Sequence, residues 1–105
     1  MSRKVIGRRW HGRVPLEKLA EYRDYIERTG LPDYRKTPGN ISAMIFTWVE
    51  GDIGHIETFA LWDSYDSIKA FAGDDISKPR YFPLDKDYLL ELEPVVHHFE
   101  AIVDP

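Results

Sequence analysis

Two adjacent histidines near the end of the chain, His97 and His98, are the residues best suited to acid–base chemistry. Imidazole exchanges protons near neutral pH, so a histidine inside a cleft can act as a general base. On a strand, adjacent side chains point to opposite faces of the sheet. We therefore expect His98, with Val96 and Glu100, to face a cleft as a general base or as a donor to a bound carbonyl. The alternative is a partly buried histidine that hydrogen-bonds a neighbouring strand or a second copy of the chain.

The adjacent arginines Arg8 and Arg9 obey the same alternation, so one guanidinium faces inward. An inward guanidinium needs either an acidic side chain or an anionic ligand beside it, and of the two we expect an acid. If Arg8 is the inward residue and meets a ligand, its chemistry is to stabilise an enolate.

Aromatic residues could enclose a planar ligand between these polar groups. Trp10, Trp62, Phe71 and Tyr81 are the candidate substrate-binding residues, and Tyr81 with Phe82 lies on a proline-punctuated loop that could form a lid. The alternative is structural, because a buried indole contributes a large apolar area and needs only one partner for its N–H. In that interpretation Tyr81 and Phe82 plug the open end of the fold.

Composition limits the class of protein. The chain of 105 residues, 43% hydrophobic and 13% aromatic, predicts one globular domain over residues 1–105. A formal charge of −4 argues against nucleic-acid binding, which depends on clustered Lys and Arg. There is no cysteine, no HExxH pattern and no long apolar run, so we expect no metal site, no membrane segment and a cytoplasmic protein.

The elements that must position these residues follow the order βαββαβ. Pro15 and Gly30 bracket the first helix, and Ser64 and Gly73 bracket the second. The predicted strands cover residues 4–13, 41–49, 55–62 and 95–103, and the predicted helices cover 15–30, 64–72 and, as a short extra element, 85–92. This order predicts a ferredoxin-like α+β fold, a four-stranded antiparallel sheet with two main helices on one face.

The first hairpin strand is apolar in both of its phases. One phase carries Ile41, Ala43 and Ile45, and the other carries Met44, Phe46 and Trp48. Two helices cover only one face of a sheet, so the second apolar face must be buried by something else. We predict a homodimer that packs sheet to sheet.

Several motifs, taken in order along nearly the whole chain, resemble one family. They are Trp10–Arg13, Tyr34–Asn40, Leu61–Ser64, Ile68–Asp75 and Glu93–Glu100. In this order they resemble the antibiotic biosynthesis monooxygenase-like superfamily, in particular its small uncharacterised branch of dimeric α+β barrels. The resemblance implies a dimer of this kind. The superfamily includes cofactor-free anthrone oxygenases and haem-degrading monooxygenases.

The catalytic pattern of the cofactor-free oxygenases carries over in part. Trp62-Asp63-Ser64 matches their Trp, acidic residue and Ser at the end of the third strand. Their Asn four residues before the Trp is Thr58 here, their Tyr six residues after it is Ile68, and a later Arg corresponds loosely to Arg80.

The pattern of the haem-degrading branch does not carry over. Its second-helix Trp falls at Phe71 and its following His falls near Tyr81. Its first-strand Asn has no counterpart among residues 7–9, so haem degradation by that mechanism is not expected.

Two classes of function stay open. In the first, the chain is a small monooxygenase without metal or flavin, and it deprotonates a phenolic or polycyclic aromatic substrate whose carbanion reacts with O2. His98 is then the base, Arg8 stabilises the enolate, and Trp62 with Tyr81 shapes the pocket. In the second, the chain is a non-catalytic dimer that binds a small hydrophobic molecule or has a stress-related role. A cleft filled by the protein's own side chains would favour the second class.

Overall fold

The computed structural model describes residues 3–104 of the chain. The elements in chain order are β1 (Arg3–Pro15), α1 (Leu19–Lys36), β2 (Asn40–Glu50), β3 (Ile53–Trp62), α2 (Tyr65–Ala72), α3 (Asp85–Tyr88) and β4 (His97–Val103), with a 3₁₀ turn at Leu16–Lys18 between β1 and α1. The predicted order βαββαβ is confirmed, and α3 is the predicted extra helix.

The four strands form one sheet in the order β2-β3-β1-β4, and every neighbouring pair is antiparallel. Strands β1 and β3 are the two central strands of the sheet. Arg8 of β1 lies opposite Ala60 of β3 on one side and opposite His98 of β4 on the other. The ferredoxin-like sheet predicted from the sequence is therefore confirmed.

Both main helices cover the same face of the sheet, which we call the inner face. Even-numbered residues of β1 and β3 point to this face and are almost all buried there. Tyr22 and Ile26 of α1 pack with Trp10 and Ile56, and Phe71 of α2 packs in a neighbouring cluster around Trp62. Burial of each such large side chain contributes about 1.5–3 kcal/mol, so the inner face holds the core. Within residues 3–104, no helix is long and apolar enough to cross a membrane.

Helix α1 extends further than the sequence predicts. The sequence predicts that the first helix ends at Gly30, but α1 continues past Gly30 and through Pro32 to Lys36. Tyr34 explains the difference, because its ring is buried, stacks on Phe71 at 4.6 Å between centroids and has its hydroxyl 3.1 Å from Thr58 Oγ1. This tertiary packing outweighs the loss of one backbone donor at Pro32.

Helix α2 begins and ends at its predicted signals. The Ser64 hydroxyl accepts a hydrogen bond from the backbone N–H of Ser67 at 3.2 Å, as an N-cap residue does. At the other end Gly73 has φ of 92°, a conformation that glycine adopts without steric cost.

The chain between α3 and β4 is less regular than predicted. The predicted helix over residues 85–92 ends at Tyr88, because the next N–H groups bond elsewhere: Leu90 N–H donates to the carbonyl of Arg13 at 2.8 Å. The last strand begins at His97, two residues later than predicted, since Val96 N–H donates to Ser77 instead. These bonds tie the segment to β1 and to the α2–α3 connection.

Candidate functional site

A cavity lies between the inner face of the sheet and the two main helices. Its wall includes side chains from both central strands, both helices and the α2–α3 connection, among them Arg8, Trp10, Tyr34, Phe71, Arg80 and Tyr81. The free volume of the cavity is about 30 Å³, which suffices for about two water molecules. Side chains of the protein thus fill most of the cleft.

Arg8 is the charged group at the centre of this wall. Its side chain is fully enclosed, with 2% of the residue exposed, so it is the inward member of the arginine pair, as alternation predicts. The guanidinium donates to the carbonyls of Ile76 and Lys78 and, at 3.0 Å, to Nε2 of His98. Burial lowers the pKa of Arg8, and the nearby Tyr34 hydroxyl acts in the opposite direction.

The expected acidic partner of Arg8 is absent among the residues that the structure describes. Every ion pair within 4.0 Å in residues 3–104 involves other cations, so the expectation of a carboxylate beside Arg8 is wrong. Two backbone carbonyls and a neutral imidazole take its place, because the α2–α3 connection folds across the guanidinium. The positive charge of Arg8 is therefore stabilised by these dipoles and is not paired with a carboxylate of residues 3–104.

His98 lies on the inner face beside Arg8, as predicted, but its environment is unlike that of a free base. Burial, the positive charge of Arg8 and the neighbouring His97 lower the pKa of His98 to about 4, so the ring of His98 is neutral at pH 7. Its Nε2 lone pair accepts a hydrogen bond from Arg8, which places the ring proton on Nδ1. His98 does not line the cavity, and its role as a general base stays a prediction.

The four aromatic candidates divide into two groups. Trp10, Phe71 and Tyr81 line the cavity; Trp10 Nε1 donates to the Tyr81 hydroxyl at 3.3 Å, and that hydroxyl donates to the carbonyl of Glu93 at 2.7 Å. Trp62 does not line it. Its ring is 0% exposed in the core, in contact with Phe71, and its indole N–H has no hydrogen-bond partner among residues 3–104.

Sequence reasoning missed several polar residues of the cavity wall. Tyr34 lies beyond the predicted end of the first helix, and Thr58 stands where the oxygenase pattern has an Asn, yet their hydroxyls are 3.1 Å apart at the wall. Arg80 lies over the rings of Phe71 and Phe82, with its guanidinium carbon 5.2 and 5.6 Å from their centroids. For Thr58 the signal was present, because it shares the inner phase of β3 with Trp62.

Asp85, at the start of α3, supplies the only carboxylate of the cavity wall in the described part of the chain. It is 3% exposed. Its Oδ1 accepts from the Tyr22 hydroxyl at 3.0 Å, and its Oδ2 accepts from the backbone N–H of Phe82 at 2.6 Å. Burial raises the pKa of Asp85, although both hydrogen bonds act in the opposite direction.

The opposite face of the sheet, which we call the outer face, has a different character. Met44, Phe46, Trp48 and Phe99 are each about 40% exposed on it. Beside Trp48, a row of polar side chains in mutual contact crosses three strands. It consists of Glu93, His11, His55 and Glu50, joined by contacts of 3.1, 2.8 and 3.0 Å.

Several solved protein structures resemble the fold of this chain. A conserved protein from Methanosarcina mazei is 20% identical, with 90% of each chain covered and a TM-score of 0.66. A putative antibiotic biosynthesis monooxygenase from Bacillus cereus is 17% identical, covering 97% of this chain and 94% of that chain, with a TM-score of 0.55.

A mutant of SnoaB, a cofactor-independent oxygenase from Streptomyces nogalater, is also similar. It is 17% identical, covering 97% of this chain and 92% of that chain, with a TM-score of 0.52. No family model matches the sequence. No curated protein matches it either. At these identities the likeness shows the fold, and the resemblance predicted from the sequence is confirmed at that level: the chain has the fold of the antibiotic biosynthesis monooxygenase-like proteins.

Proposed function

We propose that the inner cavity binds an electron-rich phenolic or anthrone-like aromatic molecule, which the chain oxidises as a cofactor-independent monooxygenase. The observation that carries this proposal is the buried guanidinium of Arg8, which stands at the cavity wall without a carboxylate partner among residues 3–104. A fixed cation in such a site stabilises negative charge that develops on a ligand oxygen. The fold shared with a cofactor-independent oxygenase supports the same class of reaction.

The reaction begins with removal of a proton from the ligand. The electron pair of the broken bond spreads over the aromatic system as an enolate or phenolate, and this electron-rich anion reacts with O2. In an anthrone, the methylene carbon loses two hydrogen atoms and gains one oxygen atom as a carbonyl. The second oxygen atom leaves with those two hydrogen atoms as water.

The residues of the cavity wall have distinct parts in this scheme. Arg8 holds the enolate oxygen, which takes over hydrogen bonds that the carbonyls of Ile76 and Lys78 now accept. The rings of Trp10, Phe71 and Tyr81 enclose the aromatic body. His98 can serve as the base only after its Nε2 lone pair is released by Arg8.

The small volume of the cavity favours a second candidate function. Small-molecule sites usually have about 300–1,000 Å³, whereas the free space here is about 30 Å³. A polycyclic ligand therefore requires Arg80, Tyr81 and Phe82 to move outward. If these side chains stay in place, the chain is a non-catalytic protein, which is the second class of function expected from the sequence.

We also propose that the chain forms a homodimer through the outer face. The exposed Met44, Phe46, Trp48 and Phe99 form an apolar surface on the face that no helix of residues 3–104 covers. A second copy buries this surface most simply, because the two faces are identical and self-complementary under two-fold symmetry.

The experiment that tests the proposed activity is a binding screen of polycyclic phenols, anthrones and quinols, with oxygen uptake followed for every hit. We expect at least one anthrone or phenol to bind and to consume O2 without added metal or flavin. Binding without O2 consumption contradicts the oxygenase activity and leaves a binding protein. No binding across the panel contradicts the whole proposal and favours the structural alternative.

The adjacent arginines supply a matched pair of variants for every hit. Arg8→Gln removes the cavity cation, and we expect affinity for an anionic ligand to fall about 10- to 100-fold, the effect of losing charge-assisted hydrogen bonds. Arg9→Gln removes an exposed cation of the same strand, 3.7 Å from Glu57, and should leave the affinity unchanged. Equal losses in both variants would show that the net charge, rather than Arg8, attracts the ligand.

A further inference from the structure

We propose that Asp85 is the residue that accepts the ligand's proton in the inner cavity. This inference rests on the proposed function, since it assigns the base of the same site. Sequence reasoning placed that role on His98. The geometry points to Asp85 instead, because its carboxylate lines the cavity whereas the imidazole of His98 does not.

The two candidate bases differ in what their lone pairs already do. His98 has one basic lone pair, on Nε2, and Arg8 donates a hydrogen bond to it at 3.0 Å. The Asp85 carboxylate has about four acceptor sites, of which the Tyr22 hydroxyl and the Phe82 N–H occupy two. Asp85 therefore keeps free acceptor capacity inside the cavity.

The electrostatics of the two groups favour the same assignment. Burial and Arg8 lower the pKa of His98 to about 4, which makes it a weak base at pH 7. Burial raises the pKa of Asp85, which makes its carboxylate a stronger base than an exposed aspartate. The titratable and charged groups that face Asp85 and the cavity are Tyr22 and Tyr25 of α1, Tyr34, Arg8, Arg80 and Tyr81.

The cavity thus holds one carboxylate and one buried cation that form no ion pair with each other. A phenol that enters donates its O–H proton to an oxygen of Asp85, and the electron pair of that bond stays on the phenolic oxygen, inside a cavity whose wall also carries the Arg8 cation. The net charge of the complex does not change, because Asp85 becomes neutral as the ligand becomes an anion. His98 then acts as a positioning residue that holds the Arg8 guanidinium.

The test uses 4-nitrophenol as the probe, because its phenolate absorbs visible light and its neutral form does not. If the proton stays in the complex on Asp85, the phenolate fraction of bound probe changes by less than about twofold between about pH 6 and pH 8. In Asp85→Asn the proton must go to solvent, so that fraction rises about tenfold per pH unit at the acidic end. Asp87→Asn, an exposed carboxylate in the same short helix, should match the wild type.

The outcomes separate this inference from the proposed function. If neither 4-nitrophenol nor any molecule of the binding screen binds the wild type, the proposed function fails and this inference fails with it. If the probe binds but its phenolate fraction titrates with pH in the wild type, Asp85 is not the acceptor. This measurement uses the wild-type protein alone, so it does not depend on whether any variant folds. A flat profile in Asp85→Asn, or a profile that begins to titrate only in His98→Asn, also overturns the assignment.

Discussion

Arg8 and Arg9 are neighbours in sequence, yet they lie in opposite environments. Arg8 is enclosed on the inner face and donates to two backbone carbonyls and a histidine. Arg9 is 44% exposed on the outer face, 3.7 Å from Glu57 and 5.3 Å from the centre of the Phe99 ring. The difference shows that strand alternation sorts identical side chains into a site with an uncompensated charge and a surface with paired charges.

The two faces also differ in what their aromatic residues do. On the inner face, the aromatic rings form the core and the cavity wall, and they are covered by the helices. On the outer face, Phe46 and Trp48 are exposed to solvent, and Trp48 stacks on His11 and His55 with distances of 5.7 and 4.8 Å between ring centroids. The inner face therefore stabilises the folded chain, whereas the outer face is free to stabilise an assembly.

The largest expected difference between the faces is in folding stability. Trp62→Ala leaves a large void in the core, so we expect the free energy of unfolding to fall by about 3–5 kcal/mol. Trp48→Ala removes a ring that is 40% exposed, and the loss should be about 1 kcal/mol. Urea unfolding followed by circular dichroism measures both variants.

A milder variant sharpens that measurement. Trp62→Phe keeps most of the ring and removes the indole N–H that has no partner in the described part of the chain. Its cost should be smaller than that of the alanine variant, because most of the buried ring stays in place and a buried donor without a partner lowers stability. Equal losses of unfolding free energy for Trp62→Ala and Trp48→Ala would contradict the view that the inner face stabilises the folded chain more than the outer face.

The next largest effect concerns association. Phe46→Asp places a charge in the apolar surface of the outer face, and we expect dimer affinity to fall by about 2–4 kcal/mol, roughly 30- to 1,000-fold in dissociation constant. Sedimentation velocity over a dilution series measures it. Thr47→Asp, the adjacent residue on the inner phase of β2, is the matched control and should stay dimeric. A wild-type chain that sediments as a monomer contradicts the dimer itself.

The parts of the molecule that the sequence predicts well are those with strong local signals. The α2 helix follows from Ser64 and Gly73, and the hairpin strands follow from their apolar residues on either side of residues 50–54. Alternation alone predicts that one of Arg8 and Arg9 faces inward, and the structure shows that the inward residue is Arg8.

The parts that the sequence does not predict depend on contacts distant in the chain. The last turns of α1 persist past Pro32 because Tyr34 packs on Phe71, which lies 37 residues later in the sequence. The partners of Arg8 are carbonyls of the irregular segment after α2, which no side-chain pattern reveals. The sequence identifies Asp85 only as the start of a short helix, since the burial of Asp85 depends on how that segment folds back.

The smallest expected effect distinguishes the two adjacent histidines. The folded state holds the pKa of His98 at about 4, below the 6.5 of a free histidine, so the unfolded state binds more protons between these values. Stability from this residue is therefore complete above about pH 6.5 and is lost as the pH falls towards 4. We expect His98→Asn to lose less unfolding free energy than the wild type when the pH is lowered from 7 to about 4.5, by urea denaturation at each pH. His97→Asn, on the outer face, should keep the part of the wild-type loss that comes from His98. If both variants lose as much unfolding free energy as the wild type, the contact between His98 and Arg8 does not shift the pKa of the imidazole. The electrostatic environments of the inner and outer faces then differ less than the burial of their side chains indicates.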